Sequence, residues 1–205
     1  MIYFSIDLET TGIDWGQDTI LEFGAILEDT EKQLPFDTIP KFNVLLRHPK
    51  YIGSPFALAM HTDIFTELAK APGQSKEKII NFNELGNSFK MWLTTQKIAF
   101  DEKIIVAGKN FGTFDLRFLE NLENFNNHIK IHQRIIDPAV LYFNNEIDKN
   151  ELPNLSTCKE RAGIQDTAIA HRTIKDAWDI IQVLRGKMYP KIHENSKDFD
   201  FSILK

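Results

Sequence analysis

Ile2-Tyr3-Phe4-Ser5-Ile6-Asp7-Leu8-Glu9-Thr10-Thr11-Gly12 opens the chain with a strict alternation. Ile2, Phe4, Ile6 and Leu8 fall on one side, Tyr3, Ser5, Asp7 and Glu9 on the other, and Gly12 supplies a turn. That is the period of a β-strand. Side chains two apart on a strand share a face, so the carboxylates of Asp7 and Glu9 stand roughly 6.5–7 Å apart along it. Two like charges that close, on a strand apolar enough to be buried, repel and lose hydration. A cation would relieve both costs, and carboxylate oxygens with water and phosphate are the ligand set of Mg²⁺ or Mn²⁺. The competing reading is an acidic turn where a strand runs into solvent. The opening strand alone leaves both readings standing.

Composition narrows the class. The 205 residues, without a long structureless linker, predict one domain able to bury a proper core. No apolar run reaches the ~18–20 residues of a membrane span, and no basic-then-apolar leader is visible. The single cysteine, Cys158, excludes an intrachain disulfide framework and a cysteine-rich zinc site. The expectation is a cytoplasmic protein with no membrane partner. A formal net charge of −5 disfavours coating long nucleic acid through counterion release, but not gripping a few phosphates through metal ions.

Outward from the opening strand, Thr19 to Leu27 reads as a second strand and Lys41 to Arg47 as a third, with Phe42, Val44 and Leu46 alternating. Phe56, Met60, Ile64 and Leu68 recur at helical spacing. A longer helix is expected from about Glu77 to Thr94. Ile104 to Ala107 has the continuous apolar character of a buried central strand. Gly108-Lys109-Asn110-Phe111-Gly112 then turns into a helix starting near Thr113, and Ile131 to Ile136 is the candidate fifth strand. Asp137-Pro138 reads as an N-cap with proline at the first helical position. Leu155 to Ala162 predicts a short helix, and His171 to Arg185 the last long one. Strands followed by alternating strands and helices indicate an α/β sheet with helices on both sides.

Three later residues stand out chemically. Asp176 lies on the helical row Thr173, Asp176, Ile180, Val183, where a carboxylate needs a partner, a metal or a path to water. His171 stands five residues before it, at or just before the helix start, a position that also suits a cap. Asp115 occupies the first turn of the helix after Gly112, where it meets the helix dipole; it also follows a strand-to-helix turn of the kind at which α/β sheets bind ligands. Asp179, four residues after Lys175, reads as a solvated pair. His48, His61, His128, His132 and His193 read as surface or packing residues, and Cys158 as an inert thiol.

In order, these pieces resemble the DEDDh-type 3′→5′ exonucleases of the ribonuclease H-like superfamily, a group that includes polymerase proofreading subunits, RNase T and oligoribonuclease. The resemblance rests on Ser5 to Gly12, on Val106 to Asp115 continuing into Leu116-Arg117-Phe118-Leu119, and on His171-Arg172-Thr173-Ile174-Lys175-Asp176-Ala177. It spans about residues 2–185. It implies a mixed five-stranded sheet with its second strand antiparallel and helices on both faces, in a domain of residues 1–189. A tail, 190–205, would follow, either loose or docking a polymerase or other replication or repair partner through Phe199, Phe201, Ile203 and Leu204. It implies that Asp7, Glu9, Asp115 and Asp176 hold two divalent cations, Mg²⁺ or Mn²⁺, and that His171 is the general base. Thr10 and Thr11 would contact the 3′-terminal nucleotide, with Lys109 a phosphate contact and Phe111, Phe56 or Met60 stacking on bases, although each of these three apolar residues also suits a core. The implied activity is hydrolysis of the 3′-terminal phosphodiester of DNA or RNA, releasing nucleoside 5′-monophosphates. A binding module without cleavage and a phosphoesterase for small nucleotides are the alternatives.

Overall fold

The computed structural model describes residues 1–71, 73–99, 103–122, 125–165 and 171–188. The expected tail from 190 onward lies outside them. Strand β1 (Ile2–Thr10) pairs antiparallel with β2 (Ile20–Asp29), which pairs antiparallel with β3 (Lys41–Arg47). Strand β4 (Ile79–Asn81) runs parallel to β3, and β5 (Val106–Ala107) parallel to β1. The order is β4-β3-β2-β1-β5, the mixed five-stranded sheet that the motifs imply, with β2 antiparallel to both neighbours.

The helices are α1 (Pro55–Met60), α2 (Thr62–Leu68), α3 (Leu85–Thr95), α4 (Asp115–Glu120), α5 (Phe125–His128), α6 (Pro138–Leu141), α7 (Leu155–Arg161) and α8 (Thr173–Met188). Phe4, Ile6 and Leu8 of β1 join Phe23, Phe42 and α3's Phe89 in the larger core, where Phe89 meets Phe23 at 5.0 Å and Phe42 at 5.3 Å between ring centres. The opposite face of β1 receives α8. Tyr3 packs with Ala177, Ile180, Ile181 and Leu184, and the Ser5 hydroxyl donates to the Ala177 carbonyl at 2.8 Å. The alternation of the opening stretch therefore has a hydrophobic cause on both sides, and the side bearing Asp7 and Glu9 is the one that α8 covers.

Gly24 makes that cover close. It lies opposite Asp7 across the β1–β2 ladder, and a Cβ there would stand 2.3 Å from the Thr173 hydroxyl oxygen and 2.5 Å from the Thr173 Cβ. Only a residue without a side chain lets the first turn of α8 come down on the sheet beside Asp7.

Four expectations are corrected. The helix drawn from Glu77 is strand β4, then a 3-10 turn at Phe82–Glu84, then α3. The β-branched pair Ile79 and Ile80 lies beside Leu45 and Leu46, and Asn81 with Glu84 forms a capping box that starts the helix only afterwards. The fifth strand is thus β4; Ile131 and Ile136 make isolated bridges to Ile104 and Ala107. The single helix through Phe56 and Leu68 is two, α1 and α2, broken at His61. Asp179 is not a solvated partner of Lys175: it is fully buried and also takes the buried Lys159 ammonium at 2.5 Å. The N-cap at Asp137 forms as read, accepting from the Ala139 N–H at 2.8 Å.

Candidate active site

The far end of β1 carries Asp7 and Glu9 to the place where the start of α4 and the start of α8 converge. Asp115, the first residue of α4, is buried and accepts a hydrogen bond from the Leu8 N–H at 3.1 Å, so its carboxylate is tied directly to β1. Asp176, one turn into α8, is buried. His171 precedes α8 in the left-handed region at φ 51°, uncommon for a residue with a Cβ, and it is exposed. Ligand atoms of Glu9, His171 and Asp176 all lie within 4.8 Å of one another.

The electrostatics show how costly this gathering is. Glu9 is pushed up to about 8 by burial and then by the charges of Asp176, Glu22 and Asp115, against a lowering contribution from Arg172. Asp7 keeps partial contact with solvent, yet burial first, then Asp115, Glu9, Asp176 and Glu22, hold its carboxyl well above the ordinary range. Asp115 is pushed up to about 7 by burial, although hydrogen bonds from its own N–H and from Leu8 work the other way. Carboxylates so arranged hold protons unless a cation replaces them. The donor set fits a divalent ion: Glu9 and Asp176 bring carboxylate oxygens, the donors such ions take, into one cluster with His171 whose ligand atoms lie within 4.8 Å of one another, and Asp7 and Asp115 lie close enough to add charge.

Beside these acids runs a cleft of about 510 Å³. Glu9 and His61 lie in its wall, with Phe56, Met60, Ile13 and Phe114 as its apolar surface. Phe56 is 78 % exposed and Ile13 85 %, a heavy exposure for large apolar side chains beside a charged site. Among the described residues, the cleft lining includes two acids, Glu9 and Asp18, and no lysine or arginine.

The structure sorts the expected residues. It brings Asp7, Glu9, Asp115, His171 and Asp176 together. Thr10 lines the cleft, at the point where the β1–β2 register slips between Glu9 and Thr10. Thr11 does not: it is fully buried, its hydroxyl hydrogen-bonded to the Ile52 carbonyl and accepting from the Thr19 N–H at 2.8 Å. Phe111 is fully buried in the larger core and presents no face to a base. Lys109 lines a separate polar cleft with residues 147–154, its ammonium on the Asn110 side-chain oxygen at 2.6 Å. Phe56 and Met60 reverse the core reading and stand in the cleft wall.

His61, expected as a surface or packing residue, is packed against the site. Its ring is buried and its Nε2 lies 3.4 Å from Glu9 Oε2; burial and the facing charge of His171 lower its pKa. The signal was present. Ala57, His61, Ile64 and Leu68 form one helical row, and His61 is its polar member, just as Asp176 is in its own row. Glu22, buried opposite Glu9, and Arg172, which pairs with it, gave no such sign.

Comparisons with known proteins agree with this fold. E. coli exonuclease I, solved in complex with a dT13 oligonucleotide, matches over 91 % of this chain and 41 % of its own, with 17 % identity and a TM-score of 0.57. A moderately thermophilic exonuclease I from Methylocaldum szegediense matches over 93 % and 41 %, with 19 % identity and a TM-score of 0.58. A full-length 3′-exonuclease matches over 89 % and 59 %, with 16 % identity and a TM-score of 0.61. These likenesses establish the fold, and the chain spans about two fifths of the length of the exonuclease I chains. No curated protein sequence matches it significantly. The RNase T exonuclease model matches residues 4–184, and the chain, with its carboxylates and histidine gathered at the end of β1, belongs to that exonuclease family.

Proposed function

We propose that this chain is a metal-dependent 3′→5′ exonuclease that hydrolyses the 3′-terminal phosphodiester of a single-stranded end and releases nucleoside 5′-monophosphates. The observation that carries the reading is the Glu9–His171–Asp176 cluster, backed by Asp7 and Asp115 and opening beside an apolar cleft. Glu9, Asp176, Asp7 and Asp115 would hold two divalent cations, Mg²⁺ or Mn²⁺. Bound there, the ions supply Lewis-acid stabilisation of the phosphoryl oxygens and a water of lowered pKa. The rest falls to the protein. His171, exposed at the rim, has an imidazole nitrogen free to turn toward the attacking water and take its proton. Phe56 and Met60 offer flat or soft apolar surface to the terminal bases, whose stacking is tolerant of sequence. His61, behind Glu9, keeps that carboxylate turned toward the cluster. With no lysine or arginine among the described residues of the cleft lining, affinity there comes from stacking and from the ions, which suits a chain end better than a long duplex. The solved complex of E. coli exonuclease I with an oligonucleotide supports a single-strand end as the ligand class.

The test is a product assay on 3′-labelled single-stranded DNA, 3′-recessed DNA and short RNA, with and without Mg²⁺ or Mn²⁺. Metal-dependent release of mononucleotides from the labelled end is expected, abolished in Asp7→Asn and Asp176→Asn and slowed about 10²–10⁴-fold in His171→Ala. Binding without cleavage would make the chain a binding module, and cleavage confined to free nucleotides would make it a phosphoesterase. Full activity in Asp7→Asn would end the metal reading altogether.

A further inference from the structure

Glu22 poses a problem that the proposed chemistry does not answer. It is fully buried and sits directly across the β1–β2 ladder from Glu9, a fifth acid beside the four already described. A carboxylate there would be expected either to join the ions or to repel Glu9. Its charge does push the Glu9 pKa upward, but both its oxygens are engaged by neighbours rather than left for the ions. Oε2 accepts from Arg172 Nε at 3.1 Å; Oε1 accepts from an Arg172 terminal nitrogen at 3.2 Å and from Asn43 Nδ2 at 2.9 Å.

Arg172 reaches further. Its guanidinium also meets Asp63 of α2 at 3.2 Å and Glu77, in the segment entering β4, at 3.1 Å. One side chain thus ties β2, α2 and the approach to β4 to the start of α8. Its backbone is as well placed. It follows His171 directly, and its carbonyl accepts the N–H groups of Lys175 at 2.9 Å and Asp176 at 3.0 Å, forming the first turn of α8. Thr173 completes the arrangement by donating to Asn43 Oδ1 at 3.1 Å, so Asn43 spans Glu22 and the helix start.

We propose that Arg172 is the positioning residue of this site: its grip on Glu22, Asp63 and Glu77 fixes the first turn of α8, and with it His171 on one side and Asp176 on the other, relative to Glu9. The proposal rests on the exonuclease reading given above. The chemistry favours arginine. A planar guanidinium presents donors in several directions at once, which a lysine ammonium on a flexible stem does not reproduce. Exposed ion pairs contribute little, so the Asp63 limb, where the aspartate is 59 % exposed, is a guide rail. The Glu22 limb is the anchor, since a buried carboxylate takes two nitrogens of the fork, at 3.1 and 3.2 Å.

A merely structural account is also available: Arg172 would only neutralise Glu22. Three full-chain variants separate the two, R172M, R172K and the double variant R172M/E22Q, in which no buried charge is left unpaired. Each is measured by thermal melting, by Mn²⁺ titration calorimetry and by turnover of a 3′-labelled oligonucleotide. If Arg172 positions the site, R172M lowers kcat by about 10–100-fold with KM changed less than about threefold, and weakens Mn²⁺ binding by about 10–100-fold. The double variant then regains the melting temperature without regaining kcat or Mn²⁺ affinity, and R172K regains part of both. Recovery of kcat and Mn²⁺ affinity together with melting temperature in the double variant would overturn the proposal, as would wild-type Mn²⁺ affinity in R172M. Should R172M alone fail to fold, the double variant still decides. Should the wild-type chain cleave no oligonucleotide, the exonuclease reading falls, while the Mn²⁺ titrations continue to judge Arg172.

Discussion

Replacing Glu9 with glutamine should make the metal-free protein more stable at alkaline pH while ending its activity. Glu9 is pushed from 4.5 up to about 8 by burial and by the charges of Asp176, Glu22 and Asp115. A carboxyl whose pKa rises on folding favours the folded state while it keeps its proton. That contribution is complete below about 4.5, the unfolded value, and is lost as pH climbs through about 8, the folded one. At about 1.4 kcal/mol per pH unit the full span is worth about 5 kcal/mol, an upper bound because the neighbouring acids share the same repulsion and water reaches the cleft. Roughly half of that, at about 2–4 °C per kcal/mol for a chain of this size, is a fall of about 5–10 °C. The assay is thermal unfolding in EDTA at pH 5.5, 7 and 8.5, repeated with Mg²⁺. The wild-type melting temperature should drop across the series in EDTA and recover in Mg²⁺ at pH 8.5. Glu9→Gln should drop less, melt above the wild type at pH 8.5 in EDTA, and gain little from Mg²⁺. A wild-type melting temperature independent of pH in EDTA, or a Glu9→Gln protein melting below it at pH 8.5, would refute the electrostatic account of the site.

The cleft and the core make predictions of their own. Phe56→Ala, at a side chain 78 % exposed, should raise KM for a single strand about tenfold with little change in melting temperature, since a stacked base is worth about 1–3 kcal/mol. Because no lysine or arginine is among the described residues lining the cleft, KM should rise only shallowly between 50 and 200 mM salt; a logarithmic slope steeper than about 2 would mean that three or more phosphates are neutralised and that the strand takes another path. Lys159→Met strips a buried ammonium from Asp179 and should cost about 3–5 kcal/mol in urea unfolding, with kcat of the folded protein preserved; a loss of less than 1 kcal/mol would show that Lys175 alone satisfies the aspartate.

Legibility in the sequence followed physical locality. Alternation in β1 and the polar interruption at Asp176 are properties of one element each, and both were readable because a wrong residue type in an apolar row has few innocent explanations. The same rule applied to Ala57, His61, Ile64 and Leu68 would have found His61. It was hidden by a helix break at His61 itself, which put Phe56 and Met60 outside while Ile64 and Leu68 went in. Strand β4 was missed because three residues followed by a capping box look like the first turn of the helix they precede. Phe111 and Thr11 went astray for another reason. Each lies within or beside a motif, yet whether a motif residue faces ligand or core depends on packing from elsewhere, here the larger core around Phe111 and the Ile52 carbonyl that receives Thr11. Glu22 and Arg172 are 150 positions apart, and nothing local marks either as the other's partner.

The acids of the site come from β1, from α4 and from the first turn of α8, and the two outermost, Asp7 and Asp176, are joined by Gly24 allowing α8 to settle on the sheet. During synthesis the opening strand leaves the ribosome long before the helix that completes it. A growing chain, or one whose α8 has come undone, therefore holds only part of the cluster, however well its strands are paired. On the proposed function, the capacity to cleave would come only with the helix that brings Asp176 and His171 to Glu9, and loosening of that helix would remove it.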